Sequence, residues 1–230
     1  MCESTYDKNL AKIVSYLTFD GHLAEDLKCF YLSSKDTSML SDFERLIYQK
    51  FKINGRLERG TGFGESYKYR VFKSEVCRFL EHAGAPRGCK VNKTFLIPEW
   101  IKINQELYYH YLRVAFECEG GFWLESKKYP VVRFGLNKNE KLINNGKEFL
   151  FEMKALLLNL NIKTSNIWVT KGNTRKDGII TKSFYFLIRQ ASIERFLKMF
   201  GFTNRFKKES LVTYYGKIRL PLRGTILKQQ

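Results

Sequence analysis

The chain has 230 residues, 44% of them hydrophobic and 27% charged, which suits one compact domain or two small ones and excludes disordered, collagen-like and coiled-coil chains. Forty Lys and Arg against 23 Asp and Glu leave a formal net charge of +17, a balance that points to a polyanionic partner, nucleic acid first. Cys2, Cys29, Cys77, Cys89 and Cys118 contain no CxxC pair; they read as buried free thiols of a reducing compartment and exclude a disulfide framework or a zinc module.

In chain order, Leu10, Ile13, Val14 and Leu17 mark a helix that ends at Gly21. Leu27 to Leu32 alternates as a strand, and Met39, Phe43, Leu46 and Ile47 mark a second helix. A hairpin follows. Gly60-Thr61-Gly62-Phe63-Gly64 lacks the GK[ST] ending of a phosphate loop and reads as its tip, and Tyr67, Tyr69 and Val71 alternate with Lys68, Arg70 and Phe72. Val76, Phe79 and Leu80 begin a third helix that Gly84 can cap. Pro98, which disfavours helix at Ile97, marks a boundary. Beyond it the order returns: a helix near 106–119, strands near 122–136, a long helix near 140–160, strands near 166–189 and a helix near 192–200.

The chain thus says one thing twice. RFLEHAGAPRGCK (78–90) and RFLKMFGFTNRFK (195–207) share Arg, Phe, Leu, Gly and Lys at the same internal spacing, and YLTFDG (16–21) is echoed by AFECEG (115–120). A duplicated αββαββα order implies an α+β fold: two antiparallel sheets, each covered by helices on one face and open on the other. The expected units are 1–102 and 103–216, followed by a basic tail at 217–230. On the open sheet faces the alternation points Arg56, Arg59, Lys68 and Arg70 outward in the first unit, and Lys127, Lys128, Arg133, Lys171, Arg175, Lys176 and Lys182 in the second. Such a surface is a groove for a duplex, because phosphate neutralisation supplies most sequence-independent affinity. Trp100, Trp123 and Trp168 read as packing residues.

Asp20 and Glu119 stand at equivalent helix C-termini, where the helix dipole disfavours a carboxylate by roughly 0.3 to 1 kcal/mol. A surface role predicts lysine there, twice. If the two helices pack about a local two-fold axis, both carboxylates meet beside carbonyl oxygens, a hard anionic site suited to Mg2+. The same axis would set Lys90 and Lys207 beside the acids, where an ammonium can stabilise developing phosphoryl charge.

IVSYLTFDG (13–21) and LRVAFECEG (112–120) resemble the two signature helices of the LAGLIDADG homing endonucleases in their two-repeat, monomeric form. The stretch SSKD (33–36), GAPRGCK (84–90) with IPEWI (97–101), and RFLKMFGF (195–202) are similar to further family blocks, so the likeness covers nearly the whole chain. The resemblance implies a saddle whose interface is the signature helices. It implies catalytic metal binding at Asp20 and Glu119 and catalytic lysines at Lys90 and Lys207, with Lys208 as an alternative to the latter. Ser15 and Val114 depart from the small glycine-like residues of the family seam, and Val114 implies a somewhat wider helix crossing.

The resulting expectation is a site-specific, Mg2+-dependent DNA endonuclease, a monomer that cuts double-stranded DNA at a long asymmetric target. The alternative is a catalytically silent nucleic-acid-binding protein on the same scaffold, an intron RNA maturase or a transcription regulator. The chain ends without the His-Asn of protein splicing and reads as free-standing or intron-encoded. With no apolar run near the roughly 20 residues of a membrane span and no secretory signal, it is expected in the cytoplasm or an organelle, neither secreted nor membrane-bound.

Overall fold

A computed structural model describes residues 6–60, 65–126, 128–203 and 205–218. Its first half runs α1 (Lys8–Thr18), β1 (Gly21–Leu23), β2 (Phe30–Ser34), α2 (Thr37–Phe51), β3 (Arg56–Arg59), β4 (Tyr67–Val71) and α3 (Ser74–His82). A 3-10 turn at Lys90–Asn92 and the short α4 (Glu99–Lys102) lead to the second half. There the order is α5 (Gln105–Glu119), β5 (Gly120–Glu125), β6 (Tyr129–Asn139), α6 (Ile143–Asn159), β7 (Trp168–Thr174), β8 (Ile180–Leu187), α7 (Gln190–Met199) and α8 (Arg205–Ile218). The two sheets have the same antiparallel topology, β1-β2-β4-β3 and β5-β6-β8-β7. The duplicated αββαββα order is therefore the observed one.

Local chemistry sets the helix starts. Asp7, Asp36 and Asn104 cap α1, α2 and α5 by accepting the N–H groups of Leu10 (2.8 Å), Ser38 (2.9 Å) and Glu106 (2.9 Å), which satisfies donors that the first turn leaves orphaned. At the other end of α3, Gly84 takes a φ of +98°, and its N–H and that of Ala85 close back on the carbonyls of Glu81 and Leu80 at 2.9 Å, as a glycine stop requires. Gly201 holds the equivalent place after α7 with a φ of +59°.

Helix α1 is buried on nearly every side, from Leu10 and Ala11 to Thr18, because it packs against α5, α2 and the first sheet at once. Ser15, fully buried in the α1/α5 seam, donates its hydroxyl to the carbonyl of Tyr111 at 2.8 Å. A residue larger than glycine thus fits the seam by bonding across it. Phe19, at the end of α1, crosses into the second half and meets Tyr111, Phe134 and Phe149 at ring separations of 5.9, 5.6 and 6.1 Å. Those rings stand on α5, β6 and α6, so the end of α1 is anchored by the other unit's core.

Several features depart from the sequence reading. Of the two strands that the order requires between α1 and α2 the sequence locates only the second, and helix α8 is an addition to it; α8 supplies Leu211 to the core and covers β5, where the sequence runs a repeat end into a basic tail. Cys77 is buried, but Cys89 is exposed and Cys29 and Cys118 are half-buried; all four are free. Gly60 lies at the end of the described hairpin, while Thr61 to Gly64, Lys127, Cys2 and the tail from 219 to 230 lie outside the described residues. Among the described residues no helix is long and apolar enough to cross a membrane.

Candidate functional site

The two signature helices each end in an acid and then a glycine. A Cβ on Gly21 would meet the carbonyl oxygen of Tyr16 at 2.9 Å, and one on Gly120 that of Phe116 at 2.4 Å. The chain can turn from helix directly into the first strand of its sheet because these positions are bare. Asp20 and Glu119 are thereby fixed at the α1/α5 helix ends, where the two sheets begin.

The two carboxyl groups feel each other. Burial raises the Glu119 carboxyl to about 7, and the negative charge of Asp20 adds to this, against the opposing pull of Lys90 and Lys207. Asp20 is likewise raised by burial, while Lys90, a hydrogen bond from Cys118 and Lys207 act to lower it. Solvent still reaches the Glu119 side chain and part of Asp20.

Lys90, at the start of the 3-10 turn that follows α3, and Lys207, in the first turn of α8, do not form salt bridges with the pair. The ammonium of Lys90 donates to the carbonyls of Leu17 (3.3 Å), Gly21 (2.7 Å) and Phe19 at the end of α1. That of Lys207 donates to the carbonyls of Phe116 (3.1 Å) and Glu117 (2.5 Å) at the end of α5. Each lysine satisfies orphan carbonyls and offsets the negative helix terminus that otherwise disfavours the acid. Burial lowers the Lys90 ammonium to about 8, with Asp20 and Glu119 opposing, and lowers that of Lys207. Lys208, by contrast, is exposed and lines a shallow groove with Asp36 and Ser38, away from the acids.

The donor set fits a hard divalent ion. Among the described residues neither Asp20 nor Glu119 is paired with a lysine or arginine within 4 Å, so Lys90 and Lys207 offset their charge only from a distance and leave both carboxylates open to a further cation. Among the same residues no three His, Cys, Asp or Glu side chains form a closed cage. Two carboxylates with open positions are the arrangement in which Mg2+ keeps waters and takes phosphate oxygens.

Strand register decides which cations line the open faces. In the first sheet His22, Tyr31, Arg70 and Arg56 form one cross-strand row, with Ser33, Lys68 and Glu58 in the next. Arg70 is ion-paired with Glu58 at 3.4 Å and lies over the Tyr31 ring at 5.3 Å, beside Lys68 at 5.1 Å. Arg56, Lys68 and Arg70 thus occupy the open face, although Glu58 is interspersed among them. Arg59 does not, since it pairs with Tyr67 on the side of Tyr69 and Val71, which are buried under the helices. In the second sheet Lys182 is opposite Lys138 and Lys171, in the parity of buried Phe184 and Phe186, so Lys171 and Lys182 also fall on the helix side. The alternation had been extended through those strands from the wrong starting face. Arg133 is on the open face, Lys128 at the β5–β6 turn and Arg175 and Lys176 at the β7–β8 turn.

Two further residues belong to the site. Lys138, 1% exposed, donates to the carbonyls of Lys90 (3.0 Å) and Lys93 (2.5 Å), with its ammonium 3.5 Å from the Phe95 ring centroid. Burial lowers it to about 7, with Lys90 acting in the same direction. It holds the turn that presents Lys90, a role reached from another strand that spacing could not reveal. Cys118 stands where the first repeat has Phe19, between the acid-bearing ends; burial raises its thiol well above the ordinary range, and Asp20 adds to this.

No protein-family model matches the chain. In sequence it is 27% identical over 210 residues to the tRNA-splicing ligase RtcB of Methanopyrus kandleri, 28% identical over 232 residues to the RNA polymerase subunit Rpo1N of Methanocaldococcus jannaschii, and 24% identical over 222 residues to the glutamine–fructose-6-phosphate aminotransferase of the same organism. These alignments take in 84%, 89% and 91% of this chain but only 20%, 16% and 18% of those proteins, so the chain spans about a fifth of the length of the curated relatives it matches. In structure it is similar to the homing endonuclease I-DmoI in complex with DNA and Ca (TM-score 0.52, 12% identity, 89% of this chain and 98% of that one). It is also similar to the N-terminal LAGLIDADG domain of DUF199/WhiA (TM-score 0.55, 14% identity, 89% and 86%). The chain therefore has the LAGLIDADG homing-endonuclease fold.

Proposed function

We propose that the protein is a site-specific, divalent-metal-dependent DNA endonuclease that acts as a monomer on a long asymmetric duplex target, with repeat units at 1–102 and 103–216. The observation that carries this reading is the pair Asp20 and Glu119: two carboxylates from equivalent helix ends, the charge of one raising the other, with no salt bridge to a lysine or arginine within 4 Å among the described residues. An enzyme that must cut both strands of a duplex needs two similar reacting positions close together, which a local two-fold axis supplies.

In this reading Asp20 and Glu119 hold the ions. When bound, such ions supply an activated water and charge to stabilise the leaving oxygen. Lys90 and Lys207, tethered to main-chain carbonyls, keep positive charge fixed beside the acids, where charge develops on the phosphoryl group. With its ammonium lowered to about 8, Lys90 is also able to exchange a proton near neutral pH. Lys138 keeps the Lys90 turn in place. Arg56, Lys68 and Arg70 on the first sheet, with Lys128, Arg175 and Lys176 at the turns of the second, track phosphates.

The fold neighbour I-DmoI, solved with DNA and Ca or Mn, supports the partner and the metal class. The sequence relatives support a mobile element. An RNA ligase, a polymerase subunit and an aminotransferase have no activity in common, so a segment alike in all three serves none of their reactions and is best read as an insertion. That pattern supports an origin inside much longer chains, beside the free-standing or intron-encoded one expected from the sequence.

The second reading is DNA binding without cleavage on the same scaffold. Incubating the protein with a randomised duplex library, with and without Mg2+, and sequencing new ends separates the two. The nuclease reading expects one enriched sequence cut in both strands only with metal; enrichment by binding without new ends supports the second.

A further inference from the structure

The two sheets are alike in topology and unlike in chemistry. On the open face of the first, a cross-strand row carries His22, Tyr31, Arg70 and Arg56. On the second, one planar group from each strand forms a diagonal band in the spatial order β5-β6-β8-β7: Trp123, Arg133, Tyr185 and Trp168. The guanidinium of Arg133 lies 5.7 Å from the Trp123 ring centroid and 5.5 Å from that of Tyr185, and Trp168 is the register partner of Tyr185. Trp123 is 38% and Trp168 54% exposed. Both are on the open face, where the sequence reading assigned them to packing.

We propose that the open face of the second sheet is a stacking platform for the unpaired bases of a single DNA strand. Exposed aromatic faces and an Arg plane bind bases by stacking and cation–π contact, which every unpaired base can accept and an intact duplex cannot, because its π-faces are occupied within the helix. The surroundings suit a polyanion. Lys128 lies over the exposed ring of Tyr129 at 5.4 Å, and Arg175 and Lys176 stand at the far hairpin. Glu125 is the acidic residue of the four strands, and Asp177 in the hairpin is held by Arg175 at 3.3 Å. The platform is also continuous with the acid pair, since β5 begins at the residue after Glu119 and Trp123 follows four residues on, roughly 13 Å at strand rise. That the strand is DNA rests on the nuclease reading; the stacking itself does not. A strand opened next to the cleavage site would be delivered onto this face.

The test uses the full chain in EDTA, so that nothing is cut, and fluorescence anisotropy of a labelled oligo-dT of about 20 nucleotides, longer than the site of one such module. Trp168→Ala should weaken oligo-dT binding by about 5- to 150-fold, the loss of one stacked base, and Trp168→Phe should restore most of it. Binding of a blunt duplex of the same length should change less than about twofold by the same argument. If the rings served only the sheet, Trp168→Ala would leave oligo-dT affinity unchanged, which overturns the proposal, as does an equal loss for duplex and single strand. A marked preference for oligo-rU over oligo-dT overturns the assignment to DNA. Cleavage of the selected duplex is scored separately, so an inactive parent protein that still binds oligo-dT through Trp168 sinks the nuclease reading alone.

Discussion

Replacing Glu119 by Gln should stabilise the metal-free protein, and its magnitude follows from the site. The carboxyl is raised from 4.5 to about 7, so between those values the folded state binds more protons than the unfolded state. Stability then falls as pH rises through that window and the whole deficit is present above it. Two and a half pH units at 1.36 kcal/mol each give an upper limit of about 3.4 kcal/mol; because solvent reaches this side chain, screening reduces the figure to about 1–2 kcal/mol. Gln keeps the shape and removes the charge. Glu119→Gln should therefore be more stable than the parent by about 1–2 kcal/mol at pH 8, or about 2–8 °C in Tm for a chain of this size. The gain should shrink to about half at pH 5. Urea unfolding in EDTA at the two pH values, followed by circular dichroism, measures it. Mg2+ should stabilise the parent and not the variant. A variant no more stable at pH 8, or equally stabilised at pH 5, would refute the claim that burial and the charge of Asp20 together disfavour the Glu119 carboxylate.

Three further outcomes are expected. Lys138→Met removes the ammonium that satisfies the carbonyls of Lys90 and Lys93 and should cost about 1–3 kcal/mol in urea unfolding. If cleavage is observed, the same variant should shift the alkaline limb of its pH–rate profile, which a purely structural loss would not. Phe134→Ala, at the meeting point of Phe19, Phe116 and Phe186, should cost about 3–5 kcal/mol, and an unchanged denaturation midpoint would contradict the shared core. In salt-dependent duplex binding, Lys68→Ala and Arg70→Ala should each lower the slope of log K against log salt by about one, whereas Arg59→Ala and Lys182→Ala, on the helix side, should leave it unchanged.

Much of the fold was legible because the chain repeats itself. Helices with a 3.6 period, strands with a period of 2 and glycine stops at Gly84 and Gly201 recur in one order, and a duplicated order leaves few topologies. The acid pair was legible for a different reason: Asp20 and Glu119 carry the wrong sign of charge for a helix C-terminus, an anomaly visible without coordinates. What stayed hidden depends on tertiary context. Strand parity is relative, so a strand's inward face cannot be known until its partner is, and Arg59, Lys171 and Lys182 were placed on the wrong side. Lys138 reads as a surface lysine until its strand is seen to run beneath the Lys90 turn. Trp123 and Trp168 were assigned to packing because large aromatics usually are buried; register alone turns them outward. Helix α8 has a weak apolar stripe, and it is defined by the strand it covers.

The central claim is that Asp20 and Glu119 hold divalent ions jointly. Mn2+ binding followed by electron paramagnetic resonance, in the protein with a bound non-cleaved duplex, tests it without relying on turnover. Asp20→Asn and Glu119→Gln should each abolish the bound Mn2+ signal at the site while leaving duplex affinity within a few-fold of the parent. Wild-type Mn2+ stoichiometry and affinity in either variant would contradict the account.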